Sequence, residues 1–327
     1  MKHKLSPILF LLISAVSGWQ CDLKDVEQPG NLVPPTAAED PNLPQLRVQV
    51  AGHERALHLQ TFGNASNPVA FVLHGGPGDD FKLLLPLSAL SDRYFVVMWD
   101  QRGAGLSERI PKEELYIESF VEEIEAVRKS ITPNQPVTLI GHSHGGILSA
   151  RYAAKYPQNV SQLILLEPGA LSAEGRKHYN GGAISFYDGQ QFFWQNEVLS
   201  SSDHAAADYK AISLLPRAYR NFTCNNTPQA APMWRFGAYH YYILQFTDAG
   251  GGNDYTWMDD LKQYTSDILL VSGTCGAASQ DFQQYNIKAL PARTQTEIIE
   301  GAGHLSLFLG YQEQLLQVLR KHLSAYR

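Results

Sequence analysis

From Leu46 onwards, short apolar runs predict β-strands. Residues Leu46–Val50 and Ala56–Phe62 alternate apolar and polar positions, as half-exposed antiparallel strands do. Continuous apolar runs flanked by Gly, Pro or Asp follow, and this pattern is typical of strands buried on both faces of a parallel sheet. These runs are Val69–Leu73, Tyr94–Trp99, Val137–Ile140, Leu163–Leu166, Ile268–Val271 and Thr296–Ile299.

Helical periods lie between several of the predicted strands, over Glu113–Ser130, Gly145–Tyr156 and Ser306–Tyr326. Alternating strands and helices predict an α/β fold with a mostly parallel sheet of eight strands flanked by helices. Residues 171–263 lack a buried-strand pattern and are rich in aromatic side chains. They are predicted to form a mostly helical insertion after the sixth strand, between core segments 46–170 and 264–327.

The N-terminus has the pattern of a secretory signal peptide over residues 1–20. Met1–Lys4 is basic and Leu5–Val16 is an apolar run too short to span a membrane comfortably. A buried N-terminal helix is the alternative, which the basic start and the missing caps disfavour. The polar, Pro-rich stretch that follows predicts a flexible tether over residues 21–45.

Cys21 stands directly after the predicted signal and resembles the acylated cysteine of a bacterial lipoprotein. Gly18-Trp19-Gln20 departs from that pattern, which has Leu three residues before the cysteine and small residues beside it. Ordinary cleavage near Ser17 or Gly18 is therefore the alternative to lipidation. Either route predicts a location outside the cytoplasm, as a periplasmic, membrane-anchored or secreted protein.

Composition restricts the classes of function. The 327 residues are 44% hydrophobic and 18% charged, so the chain can bury a core and has no signature of disorder. The net charge of −6 argues against nucleic-acid binding, which requires a basic surface. The three cysteines have no metal-ligand spacing, and we expect neither metal nor cofactor. The oligomeric state stays open.

Residues Gly141-His142-Ser143-His144-Gly145 form a GxSxG pattern between a predicted buried strand and a helix. In that context the serine occupies a sharp strand-to-helix turn, and the flanking glycines let the backbone crowd it. Its hydroxyl is then presented at a helix N-terminus, where an oxyanion is favoured. Ser143 is the predicted nucleophile.

Two further elements complete this chemistry. The glycines of His74–Gly78 let main-chain N–H groups approach a substrate oxygen, so the N–H groups of Gly76 and His144 are the predicted oxyanion hole. His304, after the last predicted strand, is the predicted general base.

The chain resembles the α/β-hydrolase superfamily and, within it, the proline-iminopeptidase-like branch. The resemblance covers roughly residues 46–327 and rests on four motifs: HGGPG at His74–Gly78, DQRGAGLS at Asp100–Ser107, GHSHGG at Gly141–Gly146 and GAGH at Gly301–His304. It implies that His74, Asp100 and Arg102 are architectural and that the insertion is a helical cap over the active site. It also implies aminopeptidase activity on peptides.

The triad acid departs from the family pattern, because Gly276 stands where relatives have an aspartate. Glu167, at the end of the sixth strand, is one candidate, in a position that resembles the triad acid of pancreatic-type lipases. Asp281 is another, although it has the pattern of a first helical turn. The third alternative is that no acid exists.

Cys224 and Cys275 remain as a pair if Cys21 is acylated or lies in the tether. A bridge between them would join the insertion to the rim of the active site, and loop closure would stabilise the fold by about 4 kcal/mol. Two unpaired thiols are the alternative.

These features predict an exported serine hydrolase acting through an acyl-enzyme, most simply an aminopeptidase of proline-iminopeptidase type. Its partner would be a small-molecule or short-peptide substrate, with membrane attachment through Cys21 if that residue is lipidated. Within the insertion, Trp194, Glu197 and Tyr241 are candidate substrate-binding residues. A carboxylesterase and a non-catalytic ligand-binding homologue are the alternative functions.

Overall fold

The computed structural model describes residues 32–179, 203–212, 215, 219–224, 230–251 and 254–326. Eight strands form one sheet in the order β1-β2-β4-β3-β5-β6-β7-β8. Their bounds are β1 Gln45–Val50, β2 His53–Phe62, β3 Val69–Leu73, β4 Phe95–Trp99, β5 Val137–His142, β6 Val160–Leu166, β7 Asp267–Cys275 and β8 Gln295–Gly303. The predicted α/β fold class is confirmed.

Strand pairing follows the two hydrophobic patterns of the sequence. Strands β1 and β2, in which apolar and polar residues alternate, pair antiparallel, and β2 pairs antiparallel with β4. All other pairs, from β4-β3 to β7-β8, are parallel. Every residue of β3 and β5 is buried, as expected for central strands covered on both faces. The carboxyl ends of the parallel strands therefore meet at one edge of the sheet.

Helices flank the sheet and also occur in the described part of the insertion between β6 and β7. Those described are α1 Ile117–Ile131, α2 His144–Lys155, α3 Ala173–His178, α4 His204–Ile212, α5 Ala238–Phe246, α6 Trp257–Leu261, α7 Gln280–Ala289, α8 Ser306–Leu309 and α9 Gln312–His322. The prediction of one helix over Ser306–Tyr326 is wrong. Helix α8 ends at Leu309, because the backbone of Gly310 (φ 178°) leaves the helical conformation before α9 begins.

Helix α5 of the insertion rests on loops at the carboxyl edge of the sheet. The N–H of Gly237, just before α5, donates to the carbonyl of Gly78 at 2.7 Å. Nδ1 of His240 lies 2.9 Å from the carbonyl oxygen of Arg102. These contacts place the described part of the insertion over the loops that follow β3 and β4.

The flexible tether predicted for residues 21–45 is wrong over its second half. Val33 and Ala37 are buried, because their apolar side chains pack against the folded body. The N–H of Ala37 donates to the carbonyl of Leu106 at 2.6 Å, and the carbonyl of Pro34 accepts from Arg235. The predicted signal peptide and Cys21 lie outside the described residues. Among the residues that are described, no helix is long and apolar enough to cross a membrane.

Candidate active site

Ser143 lies on a strained turn between β5 and α2. Its φ of 54° and ψ of −117° are unusual for a residue with a side chain. The turn packs so closely against the end of β3 that Gly145 has no room for a side chain. A Cβ added there would lie 2.4 Å from the carbonyl oxygens of Leu73 and His74. The turn places Ser143 at the carboxyl edge of the sheet, next to the loop that follows β3.

His304 follows β8 and contacts Glu167 at the end of β6. Nδ1 of His304 lies 2.8 Å from Oε2 of Glu167, whose Oε1 accepts a hydrogen bond from the N–H of Gly273 at 2.7 Å. The His304 ring stacks on Phe222, with centroids 4.8 Å apart, and lies 4.3 Å from the ring of His142. Because the contact with Glu167 occupies Nδ1 of His304, Nε2 is left for a reacting group.

Asp281 does not join this arrangement. It is exposed in the first turn of α7, as its sequence pattern predicts. Gly276, at the position where relatives have an aspartate, has a φ of 81°. A Cβ there would lie 2.7 Å from the carbonyl group of Phe222, so the loop leaves no space for the side chain that relatives carry.

Burial controls the protonation of the His304–Glu167 pair. It lowers the pKa of His304 to about 3 and raises the pKa of Glu167 to about 8, although the N–H of Gly273 opposes the second shift. Both changes have the same cause, because a buried site disfavours the charged form of each group. The imidazole is therefore uncharged at neutral pH, and its Nε2 is free to act as a general base in the form of the pair in which Glu167 is ionised.

Gly76 and His144 lie with Ser143 around one cavity of about 360 Å³, which we call the outer cavity. His144 is the first residue of α2, so its N–H has no acceptor within the helix. The loop of Gly76 lies against the nucleophile: a Cβ added at Gly75 would be 2.8 Å from the Cβ of Ser143. Both predicted oxyanion-hole residues thus border the space next to Ser143.

His74, Asp100 and Arg102 make buried contacts that fix these loops. Nε2 of His74 accepts from the N–H of Gln101 at 2.9 Å. The Asp100 carboxylate accepts from the N–H groups of Phe81 and Leu106 and contacts Nδ1 of His58 at 2.8 Å. Nε of Arg102 donates to Glu123 at 2.7 Å. All three side chains join separate segments of the chain.

A second and smaller space of about 40 Å³, the inner cavity, is shared by Ser143 and His304. Asp79 and Tyr219 also line it, and the Tyr219 hydroxyl donates to Asp79. Burial raises the pKa of Asp79 to about 6. Asp79 is not among the residues predicted from the sequence, although an acid directly after the HGGPG motif is a visible signal.

The predicted substrate-binding residues divide into two groups. Tyr241 is buried and lines the inner cavity. Trp194 and Glu197 lie outside the described residues.

Cys224 and Cys275 form a disulfide with Cα atoms 4.6 Å apart, so the predicted pairing is confirmed. The bridge joins the segment Tyr219–Cys224 of the insertion to the end of β7. Within the described ranges, no group of three or more His, Cys, Asp or Glu side chains is arranged to hold a metal ion.

Comparisons with known sequences identify the family of the chain. Residues 68–311 match the family described as alpha/beta hydrolase fold. A proline iminopeptidase of Thermoplasma volcanium is 43% identical over 103 residues, which span 31% of this chain and only about a third (34%) of that enzyme. A proline iminopeptidase of Heyndrickxia coagulans is 25% identical over 282 residues, covering 80% of this chain and 92% of the relative.

Solved structures share the fold at low sequence identity. A proline iminopeptidase of Mycobacterium smegmatis superposes with a TM-score of 0.59 at 20% identity, covering 85% of this chain and 98% of that one. A thermophilic esterase of Thermogutta terrifontis gives a TM-score of 0.58, also at 20% identity, over 86% of this chain and 99% of the esterase. At this identity the likeness concerns the fold alone.

Proposed function

The chain belongs to the α/β-hydrolase family, and we propose that it is a serine hydrolase that works through an acyl-enzyme, with Ser143 as nucleophile, His304 as base and Glu167 as acid. The observation that supports this best is the 2.8 Å contact between His304 Nδ1 and Glu167. It gives the base an orienting carboxylate, which a serine triad requires. It also argues against a non-catalytic homologue that has lost its acid.

The proposed reaction has two halves. Nε2 of His304 takes the hydroxyl proton of Ser143 as Oγ bonds to the substrate carbonyl carbon, and the N–H groups of Gly76 and His144 stabilise the resulting oxyanion. The bond to the leaving nitrogen or oxygen then breaks, and His304 returns the proton to it. Water, activated by His304, hydrolyses the acyl-enzyme and releases the acid and free Ser143.

We propose an aminopeptidase in preference to a carboxylesterase, because Asp79 lines the inner cavity beside Ser143 and His304. A carboxylate there can pair with the protonated α-amine of a substrate whose carbonyl lies at Ser143, whereas an uncharged acyl ester gains nothing from it. The full-length similarity to the Heyndrickxia coagulans proline iminopeptidase points in the same direction.

A fluorophosphonate probe tests the chemistry. We expect wild-type protein to be labelled and Ser143→Ala to remain unlabelled. Wild-type protein that is never labelled would contradict the proposed catalysis.

Paired substrates then test the preference for amines. Alanine and proline arylamides are compared with the matching N-acetylated arylamides and with short acyl esters. We expect the free-amine arylamides to be preferred by wild type and Asp79→Asn to reduce that preference at least tenfold. Equal turnover of free and acetylated substrates, unchanged in Asp79→Asn, would favour the esterase.

We also propose that the protein is exported, with Cys21 as the site of lipid attachment. The Cys224–Cys275 disulfide supports an oxidising location, since such bonds are rare in the cytoplasm. Fractionation of cells expressing the full chain, beside Cys21→Ser, tests both parts. Membrane association that persists in Cys21→Ser would contradict lipidation, and cytoplasmic recovery of wild type would contradict export.

A further inference from the structure

Two arginines line the outer cavity together with Ser143 and the predicted oxyanion-hole residues. Arg151 comes from α2 and Arg176 from α3. The mechanism proposed above uses neither guanidinium. Asp248 is the single carboxylate among the described residues that line this cavity, so the described part of its wall contains more positive than negative groups.

Arg151 is buried and firmly held. Nη1 donates to Glu118 at 2.8 Å, and Nη2 donates to the carbonyl oxygens of Gly251 and Asp254 at 3.2 and 2.9 Å. Its guanidinium also lies over the Trp257 ring at 4.9 Å. Only Nε is buried without a hydrogen-bond partner among the described residues. Arg151 therefore provides a fixed positive group in the cavity wall.

Arg176 is in a different situation, because its side chain is exposed. Within the described part of the chain, no hydrogen bond or ion pair is formed by its guanidinium. The neighbouring Lys177 is paired with Glu174 at 3.1 Å, which shows that α3 offers an acidic partner that Arg176 does not use. A guanidinium that lines a cavity and pairs with no described residue is available to a ligand.

The two guanidiniums approach the same region of the cavity. Tyr255 also lines it, and the charges of both arginines lower the pKa of its hydroxyl, which burial raises. An anion bound there would complete the hydrogen bonds of Arg176, and its charge would be stabilised by the fixed Arg151.

We propose that Arg176, with Arg151 behind it, binds a carboxylate of the substrate, and that the substrates are short peptides whose free C-terminus lies close to the scissile bond. This inference rests on the aminopeptidase function proposed above. A carboxylate fits the planar fork of a guanidinium, and the C-terminus is the one anionic group that every unblocked peptide has. A cavity of about 360 Å³ is at the small end of ligand sites, which also favours short substrates.

In this proposal the inner cavity binds the positive end of a dipolar ligand and the outer cavity binds its negative end. Asp79 lies in the inner cavity and Arg176 lines the outer one, while Ser143 borders both. A short peptide has opposite charges at its two ends, with the scissile carbonyl between them. The arrangement of charges in the site thus matches the arrangement of charges in the substrate.

The test compares di- and tripeptides that have a free C-terminal carboxylate with the same peptides amidated at the C-terminus. We expect wild type to have a kcat/KM at least tenfold higher for the free acids, since hydrogen bonds to charged groups are strong. In Arg176→Gln this preference should disappear, because kcat/KM for the free acids falls to the value for the amidated peptides. Arg176→Lys should restore part of it, and Lys177→Gln, on the same helix, should leave it intact.

Equal kcat/KM for acids and amides in the wild type would overturn the inference. An equal loss on both substrates in Arg176→Gln would overturn it too, because that result indicates a structural role. An alanine arylamide, which has the free amine but no carboxylate, separates this failure from failure of the proposed function. Wild type that hydrolyses the arylamide without preferring free acids contradicts only the carboxylate site, whereas wild type that neither hydrolyses it nor reacts with fluorophosphonate contradicts the hydrolase itself.

Discussion

Phe222 is joined to His304 by two separate contacts. Its carbonyl oxygen accepts a hydrogen bond from the His304 N–H at 3.2 Å, and its ring stacks on the imidazole. Phe222 lies two residues before Cys224, which is bridged to Cys275 at the end of β7. The disulfide therefore holds the segment that positions the proposed base.

Reduction of this disulfide should lower both stability and activity. Because the bridge closes a loop with a sequence separation of 51 residues, we expect Cys224→Ser/Cys275→Ser to lose up to about 4 kcal/mol of unfolding free energy. We also expect kcat to fall, since Phe222 is released beside His304. Denaturant unfolding and turnover, each with and without dithiothreitol, measure the two effects. Cys21→Ser is the control, and equal values for the double variant and wild type would contradict the prediction.

Replacing Glu167 tests whether it acts as the acid. Glutamine keeps the size of the side chain and an oxygen for the N–H of Gly273, yet it cannot stabilise the imidazolium or hold Nδ1–H as a carboxylate does. We expect kcat of Glu167→Gln to fall by about a thousand- to ten-thousand-fold. Asp281→Asn is the matched control and should behave as wild type. A large loss of kcat in Asp281→Asn, with Glu167→Gln behaving as wild type, would identify Asp281 as the acid.

The pH dependence should reflect the buried pair rather than an ordinary histidine. The base form has an ionised Glu167, a protonated Nδ1 and a free Nε2. Burial raises the pKa of Glu167 to about 8, so the pair takes up a proton, and the base form is lost, as the pH falls through that region. We expect kcat/KM to rise with pH with an apparent pKa above 6.5 in wild type.

A neutral acyl ester is the appropriate substrate for this measurement, because it has no amine that titrates in the same range. In Glu167→Gln the carboxyl titration is gone, and burial lowers the pKa of His304, so the residual activity should persist to a lower pH. A wild-type profile that is already flat at pH 6 would disprove the prediction.

Gly75 tests how closely the loop after β3 approaches the nucleophile. An alanine there would place its Cβ 2.8 Å from the Cβ of Ser143 and 3.2 Å from Nδ1 of His142, so Ser143 must move. We expect kcat/KM of Gly75→Ala to fall by about a hundredfold, the typical effect of a shift of about 1 Å in a reacting group. Gly310→Ala, with no atom within 4 Å of the added Cβ, should retain activity. Wild-type activity in Gly75→Ala would contradict this close approach.

The hydrophobic pattern was sufficient to predict the sheet, but it did not define every strand boundary. Strand β6 begins at Val160 and not at Leu163, and the apolar run missed its start because the polar residues Ser161 and Gln162 interrupt the pattern. Gln162 is buried there with its amide donating to the carbonyl of His322 at 2.8 Å. A polar residue whose partner lies 160 positions away cannot be recognised as part of a buried strand from local pattern alone.

The site was predictable where its chemistry is local. Ser143 lies within a motif that specifies its own turn, whereas the choice between Glu167 and Asp281 depended on how strand ends align in space. Glu167 and His304 are separated by 137 positions, and only the parallel order of β6, β7 and β8 brings them together. Arg176 had no sequence signal, because its proposed role depends on its position in the cavity wall and on the absence of a partner among the described residues.

The packing of Val33 and Ala37 against the body has a consequence for attachment to a bilayer. The chain is fixed to the body at Val33, and Cys21 lies 12 residues before that point. A fully extended chain covers at most about 3.6 Å per residue. A lipid on Cys21 would therefore confine the point where the body begins to within about 43 Å of the membrane surface. Peptides would then be hydrolysed in the layer next to the envelope and not throughout the surrounding fluid.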